Sequence, residues 1–555
     1  MTRFDPISLE IMWSRLINMV DEIWVTIYRT AFSTIIGEAQ DFGCEIMDAH
    51  GNSLAHASRS MPVFNLTLPM AAKALIERFP VETLSPGDIL ITNDPWLCAG
   101  HLFDIAIVTP VFRAGKVVAL VGSVAHTSDI GGSQDSSRVR EVYEEGILIP
   151  PSKLYIAGER NELLYEIIMS NVRVSEMVWG DLLAQVSANA TGARRLPEFM
   201  DEYGMEDLTD LATEIQGRAE AAMRAAIAAI PDGEYAGEAW ADGMEQPLRI
   251  PVRLIVEGDE ITVDWAGAPP EAPVGGINCT LSYTSAHSVY TLKCALTPSI
   301  PSNAGCYRPI KIKAPEGTLL NCRKPASVNQ RTHSGWRLAP AIFSALADAL
   351  PGKVQAFTGL PLGAGAYGRD SSGRPFNDHL FQGGGQGASA RQDGHSALLF
   401  PTSAGNVSLE MFEARTPLLV ECKELIADSG GAGEHRGGLG QRVSVRMRPN
   451  AQDAKVLLGV FPESMRVATP GLHGGQAGRL TRVVVDDREL THGALLELGR
   501  DGSRVQIELS GGSGYGDPAA RSLAAIQKDL DDGLITPEGA ARDYGVTVND
   551  GKVQR

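Results

Sequence analysis

One hairpin constrains the fold of this chain more than any other feature. Residues 105–112 and 116–125 are rich in β-branched and apolar side chains, and Ala114-Gly115 lies between them. A two-residue turn there places Asp104 opposite the residue that precedes His126, and a slip of one or two residues brings the two side chains together. The chain is therefore expected to contain an antiparallel sheet that carries a carboxylate and an imidazole at one end of a hairpin.

Helical and strand-like periodicities alternate along the rest of the chain. Apolar residues recur with helical spacing over residues 7–32, 68–79, 160–200, 206–230 and 519–531. Hairpins are predicted at 42–57 and 246–266, and short strands are predicted at 88–92, 442–447, 456–460 and 482–485.

These patterns predict an α+β fold, a large mixed subunit with several antiparallel hairpins and sheets. A long N-terminal helix and a helical segment near 160–230 complete it. We divide the chain into an α+β region over 1–240, a β-rich and Gly-rich region over 241–518 and a helical tail over 519–555. The alternative is one continuous subunit, since no linker composition marks the borders.

The first predicted helix has a wide and bulky apolar stripe. Leu9, Met12, Trp13, Leu16 and Ile23 are among its members. We expect this stripe to be buried against a sheet of the same chain or against a partner subunit.

Composition excludes several classes of protein. The chain has 555 residues, of which 67 are acidic and 49 are basic, so its formal charge is −18. No run of five Lys or Arg occurs, which argues against nucleic acid as the main partner. A hydrophobic content of 44% with 21% charged residues is typical of a globular protein. No stretch of 18 apolar residues is present, so no membrane segment is predicted.

Cysteine usage and the N-terminal sequence indicate the compartment. The seven cysteines form no CxxC pair, which is typical of thiols in a reducing environment. The start, MTRFDPISLE, lacks the apolar core of a signal peptide. We expect a cytoplasmic protein.

A candidate metal site lies at the end of the 105–125 hairpin. His101 precedes Asp104 by three residues, so His101, Asp104 and His126 can converge by local geometry. Two imidazoles and a carboxylate suit Zn²⁺, Mn²⁺ or Fe²⁺. The alternative is a pair of surface histidines beside an aspartate at a strand edge. Cys98 is either a fourth ligand or, as free cysteines usually are, a small buried side chain.

Nine short runs, spread over nearly the whole chain, resemble those of a known family. They are Asp41-Phe42-Gly43-Cys44, Asn93-Asp94-Pro95, Gly100-His101-Leu102-Phe103-Asp104-Ile105, His126-Thr127-Ser128-Asp129-Ile130-Gly131-Gly132, Glu144-Glu145-Gly146-Ile147, Ile149-Pro150-Pro151, Asp428-Ser429-Gly430-Gly431-Ala432-Gly433, Arg436-Gly437-Gly438-Leu439-Gly440 and Gly511-Gly512-Ser513-Gly514-Tyr515-Gly516-Asp517-Pro518. The sequence resembles the B subunit of the hydantoinase/5-oxoprolinase family (N-methylhydantoinase B-like), whose relatives include caprolactamase and the acetone and acetophenone carboxylase subunits.

The resemblance implies a metal site made of Asp41, His101, Asp104 and His126, and Asp41 enters the set only in this way. Many members carry two adjacent histidines where this chain has His126 and Thr127. Asp129 is the nearby titratable group. It either orients a ligand histidine or acts as the base, or it caps the turn that leads into the following glycines.

The resemblance also implies an activity and a partner. It implies a metal-dependent catalytic subunit of an ATP-dependent hydrolase that opens cyclic amides such as hydantoins, lactams or 5-oxoproline. ATP is expected on a partner A subunit of the actin/Hsp70-like ATPase type, in a hetero-oligomer such as A2B2. The alternatives are a subunit of an ATP-dependent ketone carboxylase and a non-catalytic scaffold for the ATPase subunit.

The remaining motifs add no second site. No GxxxxGK[ST] motif occurs, and we interpret the Gly-rich segments 383–387, 430–440 and 511–516 as tight turns between short strands. GxSxG and HExxH are absent as well. Glu410 and Glu413 lie on a predicted strand or loop and are interpreted as surface groups unless they face a pocket. Four histidines are interpreted as ordinary polar residues, and they are His333, His379, His395 and His435.

Overall fold

The computed structural model describes residues 4–451, 453–499 and 503–555. The helices of these segments are α1 (Pro6–Thr30), α2 (Thr34–Gly37), α3 (Phe64–Arg78), α4 (Glu162–Asn171), α5 (Ser175–Glu202), α6 (Thr209–Ile227), α7 (Leu281–Leu296), α8 (Ala304–Tyr307), α9 (Thr332–Gly335), α10 (Leu338–Leu346), α11 (Leu409–Arg415), α12 (Leu523–Asp531) and α13 (Pro537–Tyr544).

The strands of the same segments are mostly short. They are β1 (Phe42–Asp48), β2 (Ser53–His56), β3 (Ile89–Thr92), β4 (Asp104–Arg113), β5 (Lys116–His126), β6 (Ser152–Ile156), β7 (Glu159–Arg160), β8 (Gly233–Ala241), β9 (Leu248–Glu257), β10 (Glu260–Asp264), β11 (Ile310–Lys313), β12 (Leu362–Arg369), β13 (Pro375–Gln382), β14 (Leu418–Leu425), β15 (Gln441–Met447), β16 (Lys455–Val460), β17 (Arg482–Val485), β18 (Arg488–Glu489), β19 (Ala494–Leu498), β20 (Arg504–Glu508), β21 (Thr547–Asn549) and β22 (Lys552–Gln554).

Four larger sheets and one small hairpin organise these strands. The first sheet has seven strands in the order β2-β1-β5-β4-β3-β6-β7, and the others follow the orders β11-β10-β9-β8, β13-β12-β16-β19 and β14-β15-β20-β17-β18. Among the named strands of the described residues, only β10 and β11 pair in parallel. The predicted α+β class is confirmed.

The predicted central hairpin is formed by β4 and β5, and one bulge sets its register. Ala114 and Gly115 both have positive φ, as a two-residue turn between twisted strands requires. A register shift between Val111 and Phe112 leaves Val118 as an extra, unpaired residue in β5, so Asp104 pairs directly with His126. The bulge supplies the one-residue slip that brings these two side chains together.

The apolar stripe of α1 is covered within the chain. Asp5 caps the helix by accepting hydrogen bonds from the N–H groups of Ile7 and Ser8, and Pro6 occupies its first turn. The buried face of α1 packs on α5, β1 and β2, and Leu16 is fully buried. The alternative that this stripe faces a partner subunit is therefore wrong.

Several element boundaries differ from the prediction. The predicted helix over 160–200 is two helices, α4 and α5, because the backbone N–H of Arg173 donates to the Asp129 carboxylate instead of continuing the helix. The helix predicted at 68–79 begins at Phe64, and the one predicted at 519–531 begins at Leu523 after a Ser522 cap. Helices α7 and α10 carry buried side chains on almost every face, so they lack the periodic stripe by which a helix is predicted.

The Gly-rich segments are not tight turns, which corrects the prediction. Within 383–387, 430–440 and 511–516 only Gly516 has a φ in the left-handed region. These segments instead pack backbone against backbone: a Cβ on Gly385 would lie 1.9 Å from the carbonyl oxygen of Gly438. Glycine is required there because no side chain fits between the neighbouring chains.

Several apolar cores lie within the fold. The largest contains side chains from α1 through Val354, on both sides of residue 240, and a second one fills the sheets between Leu362 and Leu509. A small core at the C-terminus packs α12 and α13 over Ala432. The division at 240 and 518 stays a prediction. Among the described residues, no helix is long and apolar enough to cross a membrane.

Candidate metal centre

Three neighbouring strands end at one edge of the first sheet. Because β1, β5 and β4 are adjacent and antiparallel, the start of β1, the end of β5 and the start of β4 lie side by side. Asp41 directly precedes β1, and its carbonyl oxygen accepts a hydrogen bond from the His126 N–H at 3.1 Å. The sheet therefore places Asp41, Asp104 and His126 together, and His101 approaches from the loop before β4.

His101, Asp104 and His126 form a cluster in which the candidate ligand atoms lie within 4.8 Å of one another. His101 Nε2 lies 3.0 Å from Asp104 Oδ1, and His126 Nδ1 lies 3.3 Å from the same oxygen. Asp104 Oδ1 and both ring nitrogens of His101 are buried and have no hydrogen-bond partner. Two imidazole nitrogens thus converge on a carboxylate oxygen without hydrogen bonding to it.

This arrangement fits a divalent metal ion. Ligand atoms about 2.1 Å from a tetrahedral ion are about 3.4 Å from one another, close to the two distances found here. Burial lowers the pKa of His101 to about 3, with the nearby Arg331 charge adding to the effect. His101 is therefore neutral near pH 7, which is the form that binds metal. The predicted convergence of the three side chains is confirmed.

Asp41 lies at the margin of this cluster. Its Oδ2 is 3.8 Å from His126 Nδ1, and the side chain is almost completely buried. Burial raises the pKa of Asp41 to about 6; the His126 charge opposes this rise and the Asp104 charge adds to it. Keeping Asp41 ionised in this buried position next to Asp104 is energetically unfavourable. A cation in the cluster would offset that penalty, because it would neutralise the two adjacent carboxylates.

Arg331, which the sequence analysis missed, holds Asp104 in place. Its guanidinium donates to Asp104 Oδ2 at 2.7 Å and to the Ala99 carbonyl oxygen at 2.7 Å, and it lies over the ring of Tyr283. Burial alone would raise the pKa of Asp104, but His101 and Arg331 together hold it below its usual range. Asp104 is thus a carboxylate with one oxygen fixed and the other free for a ligand.

The cluster opens into a pocket of about 180 Å³. Both halves of the chain line it: β12, β13 and the α7 and α9 helices face the N-terminal sheet. Among the lining residues, Tyr283 and His287 were missed, and His333 and His379 were treated as ordinary polar groups. No spacing rule connects them with His126, because only tertiary packing brings them close.

His379 and His333 have different roles in the wall of the pocket. The His379 ring lies edge-on to the His126 ring at 6.3 Å, and burial lowers the pKa of His379 to about 3. The two ring nitrogens of His333 lie 3.2 Å from Glu463 Oε1 and 3.0 Å from the carbonyl oxygen of Phe461. His379 therefore presents a neutral imidazole beside the cluster, whereas His333 is held in the wall.

Asp129 and Cys98 do not join the cluster. Asp129 Oδ1 accepts from the Gly131 N–H at 3.1 Å and from Arg173 Nη1 at 2.8 Å, and Oδ2 accepts from the Arg173 N–H. Both oxygens are occupied, which favours the turn cap over a role at a ligand histidine. Cys98 is buried, its Sγ faces the Asp104 carbonyl oxygen, and burial raises the pKa of the thiol, as for a small core residue.

The other candidate side chains lie away from this pocket. Glu410 and Glu413 are on helix α11, not on a strand or loop, and neither lines the pocket. His395 is exposed, and His435 approaches Asp393 at 3.8 Å. They remain ordinary polar residues.

Glu145 is expected to make the stability of the protein depend on pH. It is buried, its Oε1 accepts from the N–H groups of Val328 and Asn329 at 2.7 Å each, and its Oε2 has no partner. Burial raises the pKa of Glu145 from 4.5 to about 7. A raised carboxyl pKa means that folding favours the protonated form. This contribution is complete below about pH 4.5 and is lost as the pH rises through 7.

Replacing Glu145 by glutamine is therefore expected to remove a pH-dependent loss of stability, since Gln keeps the Oε1 acceptor and cannot ionise. The wild type should lose on the order of 3 kcal/mol more unfolding free energy than E145Q between pH 5 and pH 8. Denaturant unfolding at both pH values measures this difference. The exposed Glu159→Gln change is the control, and parallel pH profiles for wild type and E145Q would contradict the prediction.

Comparison with known proteins identifies the family. The sequence model of hydantoinase B/oxoprolinase matches residues 5–518. The chain belongs to the hydantoinase B/oxoprolinase family. The resemblance found in the sequence is confirmed.

Relatives of this hydantoinase B/oxoprolinase chain match it over nearly its full length. The beta subunit of caprolactamase from Pseudomonas jessenii is 32% identical, over 99% of this chain and 97% of that protein. A protein of Pseudomonas sp. (strain NS671), named provisionally as the B subunit of a D-/L-hydantoinase, is 31% identical over 99% and 96%. Both relatives are named as subunits.

Two solved structures share the fold. The crystal structure of the ATP-dependent caprolactamase from Pseudomonas jessenii matches with a TM-score of 0.89 at 28% identity, over 99% of this chain and 97% of that one. A nucleotide-free structure of acetone carboxylase matches with a TM-score of 0.88 over 99% and 81%. Its identity is 20%, so this second likeness shows the fold alone.

Proposed function

We propose that this chain is the metal-dependent catalytic B subunit of an ATP-dependent cyclic amide hydrolase. A partner ATPase subunit of the A type would activate the substrate, in a hetero-oligomer such as A2B2. The observation that carries the proposal is the convergence of His101, Asp104 and His126 at the pocket of a chain that matches a caprolactamase subunit along its length.

The chemistry needs activation because amide resonance makes direct attack by water slow. In the proposed scheme the partner transfers a phosphoryl group from ATP to the amide oxygen. Water then adds to the activated carbon and the ring C–N bond breaks, which frees the amine and leaves an acyl phosphate. A second water molecule hydrolyses the acyl phosphate to a carboxylate and inorganic phosphate. A divalent ion bound here would polarise the reacting centre and lower the pKa of a water molecule.

The chain's own residues would hold and shape this centre. His101, Asp104 and His126 would bind the ion, and Asp41 would add a second negative charge at the margin. Arg331 fixes the orientation of Asp104 through its 2.7 Å contact with Oδ2. Aromatic side chains also line the pocket, and they include Phe103, Tyr283, Trp336 and Phe381.

Assay with the partner tests the proposal. The purified chain would be combined with an A-type ATPase subunit and Zn²⁺, Mn²⁺ or Fe²⁺. We expect ATP-dependent ring opening of a hydantoin, a lactam or 5-oxoproline, and loss of that activity after the metal is removed by chelation. The control omits ATP.

Three results would contradict the proposal in different ways. Ketone- and bicarbonate-dependent ATP use would indicate the carboxylase alternative. Full activity of a metal-free preparation would remove the metal from the mechanism. An A subunit that is fully active without this chain would leave only the scaffold role.

A further inference from the structure

The imidazole of His287 is buried in the wall of the pocket without a hydrogen-bond partner. It lies on α7, is 2% exposed, and neither Nδ1 nor Nε2 has a partner. The residue lines the same pocket as the metal cluster. An unpaired buried polar group destabilises the folded protein, so such a group in a pocket calls for an explanation.

The rest of α7 shows that this lack of partners is specific. Its buried serines and threonines all make hydrogen bonds, and they are Ser282, Thr284, Ser288 and Thr291. The helix thus satisfies its other small polar side chains by bonds within the protein. His287 differs because its ring is enclosed by the rings of Tyr283 and Tyr290, at centroid distances of 4.5 and 6.1 Å.

The charge around His287 determines what the imidazole can bind. Burial, with a smaller effect of the Arg331 charge, lowers the pKa of His287 to about 3. The ring is therefore neutral near pH 7 and offers one N–H donor and one acceptor nitrogen. Such a group is a suitable partner for a neutral amide or imide. A carboxylate would instead bind better to a positively charged side chain.

His287 is separated from the metal cluster by two side chains. Arg331 bonds Asp104 and lies 4.3 Å from the centroid of the Tyr283 ring, and Tyr283 in turn packs edge-on against His287. A cyclic substrate whose reacting carbonyl group lies at the cluster could therefore contact His287 only through a different part of the substrate molecule.

We propose that His287 is a specificity-determining residue that hydrogen-bonds a second, neutral polar group of the substrate ring. Hydantoins have such a group, since a second carbonyl and N–H lie across the ring from the first. A simple lactam has only one amide. This inference rests on the proposed function and deepens it, because it distinguishes between classes of cyclic amide.

The test compares two substrates in the complex with the ATPase subunit. His287→Phe keeps an aromatic ring and removes both nitrogens. We expect KM for hydantoin to rise by about 10- to 100-fold, with kcat changed much less and KM for δ-valerolactam changed less than about threefold. His287→Gln retains a donor and an acceptor and should restore part of the hydantoin affinity.

Two further readouts separate this role from a structural one. The metal content of His287→Phe should equal that of the wild type. Its thermal midpoint without substrate should be equal or higher, since the substitution removes an unpaired polar group. His56→Phe is the matched control: His56 has an unpartnered Nε2 but does not line the pocket, and its KM values should not change.

The outcomes separate this inference from the proposed function. If the wild type opens no cyclic amide, the proposed function fails. If it opens hydantoin and His287→Phe leaves KM for hydantoin unchanged, or raises both KM values equally, the role of His287 is overturned and the function stands. Should His287→Phe fail to fold, His287→Leu, which also lacks polar side-chain atoms, carries the same expectation.

Discussion

Replacement of His101 by alanine is expected to empty the proposed metal centre and abolish the proposed ATP-dependent ring opening. His101 is the cleanest ligand to remove, because neither ring nitrogen makes a hydrogen bond that the fold needs. Loss of a residue that only supports a metal ligand weakens metal binding by up to about 100-fold, so loss of one of the three candidate ligands should weaken it further. The folded protein should remain, with a thermal midpoint near that of the wild type without metal.

Metal content and activity should fall together in this variant. Elemental analysis of the dialysed protein measures the first, and the assay with the ATPase subunit measures the second. His395→Ala is the control, since His395 is an exposed histidine outside the pocket. A variant that keeps one bound metal per chain, or full activity without metal, would contradict the assignment of His101.

Asp104 is a less decisive position for the same test. Removal of its carboxylate would leave the buried Arg331 without its ion-pair partner, which typically costs about 3–5 kcal/mol. Loss of activity in Asp104→Ala would therefore combine lost metal binding with lost stability. The comparison of His101→Ala with Asp104→Ala separates these two effects.

Local patterns in the sequence were sufficient for the elements that present the ligands. The stripe of α1 and the strands of the β4–β5 hairpin follow from side-chain periodicity, and a two-residue turn fixes the register to within one residue. The bulge at Val118 decides the last residue of that register, and no local pattern encoded it. Asp41 was accessible only through the family resemblance, because its position depends on the order of strands in the sheet.

The other wall of the pocket was not predictable from local patterns. Arg331, His287 and His379 belong to segments that are distant from His126 in the sequence, and tertiary packing alone brings them to the pocket. Helix α7 is buried on nearly all sides, so it lacks the amphipathic period that would have predicted it. Residues whose role depends on such packing are visible only once the fold is known.

The second prediction concerns the Gly-rich segments 383–387, 430–440 and 511–516, which pack backbone against backbone. Replacement of Gly385 by alanine is expected to prevent stable folding. The added Cβ would lie 1.9 Å from the Gly438 carbonyl oxygen and 2.5 Å from the Gly512 backbone nitrogen. Both are backbone atoms held in hydrogen bonds, so neither can move aside as the end of a side chain would. We expect a loss of more than about 4–5 kcal/mol in unfolding free energy, beyond the range of ordinary substitutions.

The consequence should reach the pocket as well. The N–H of Gly359 donates to the Gly385 carbonyl oxygen at 2.7 Å, and the residues that follow Gly359, from 360 to 362, line the pocket. Displacement of Gly385 would therefore shift that wall. Any folded Gly385→Ala protein should show reduced ring opening while its metal content stays at the wild-type level, because the candidate ligands lie on or next to strands of the first sheet and Gly385 does not.

Gly217→Ala provides the matched comparison for this prediction. Gly217 is exposed inside helix α6 and has no atom within 4 Å of an added Cβ, so alanine there should stabilise the protein by about 0.5–1 kcal/mol. Denaturant unfolding of both variants measures the change in unfolding free energy, which should be negative for Gly385→Ala and positive for Gly217→Ala. If the unfolding free energy of Gly385→Ala lies within about 1 kcal/mol of the wild-type value, close packing does not require the glycines of these segments.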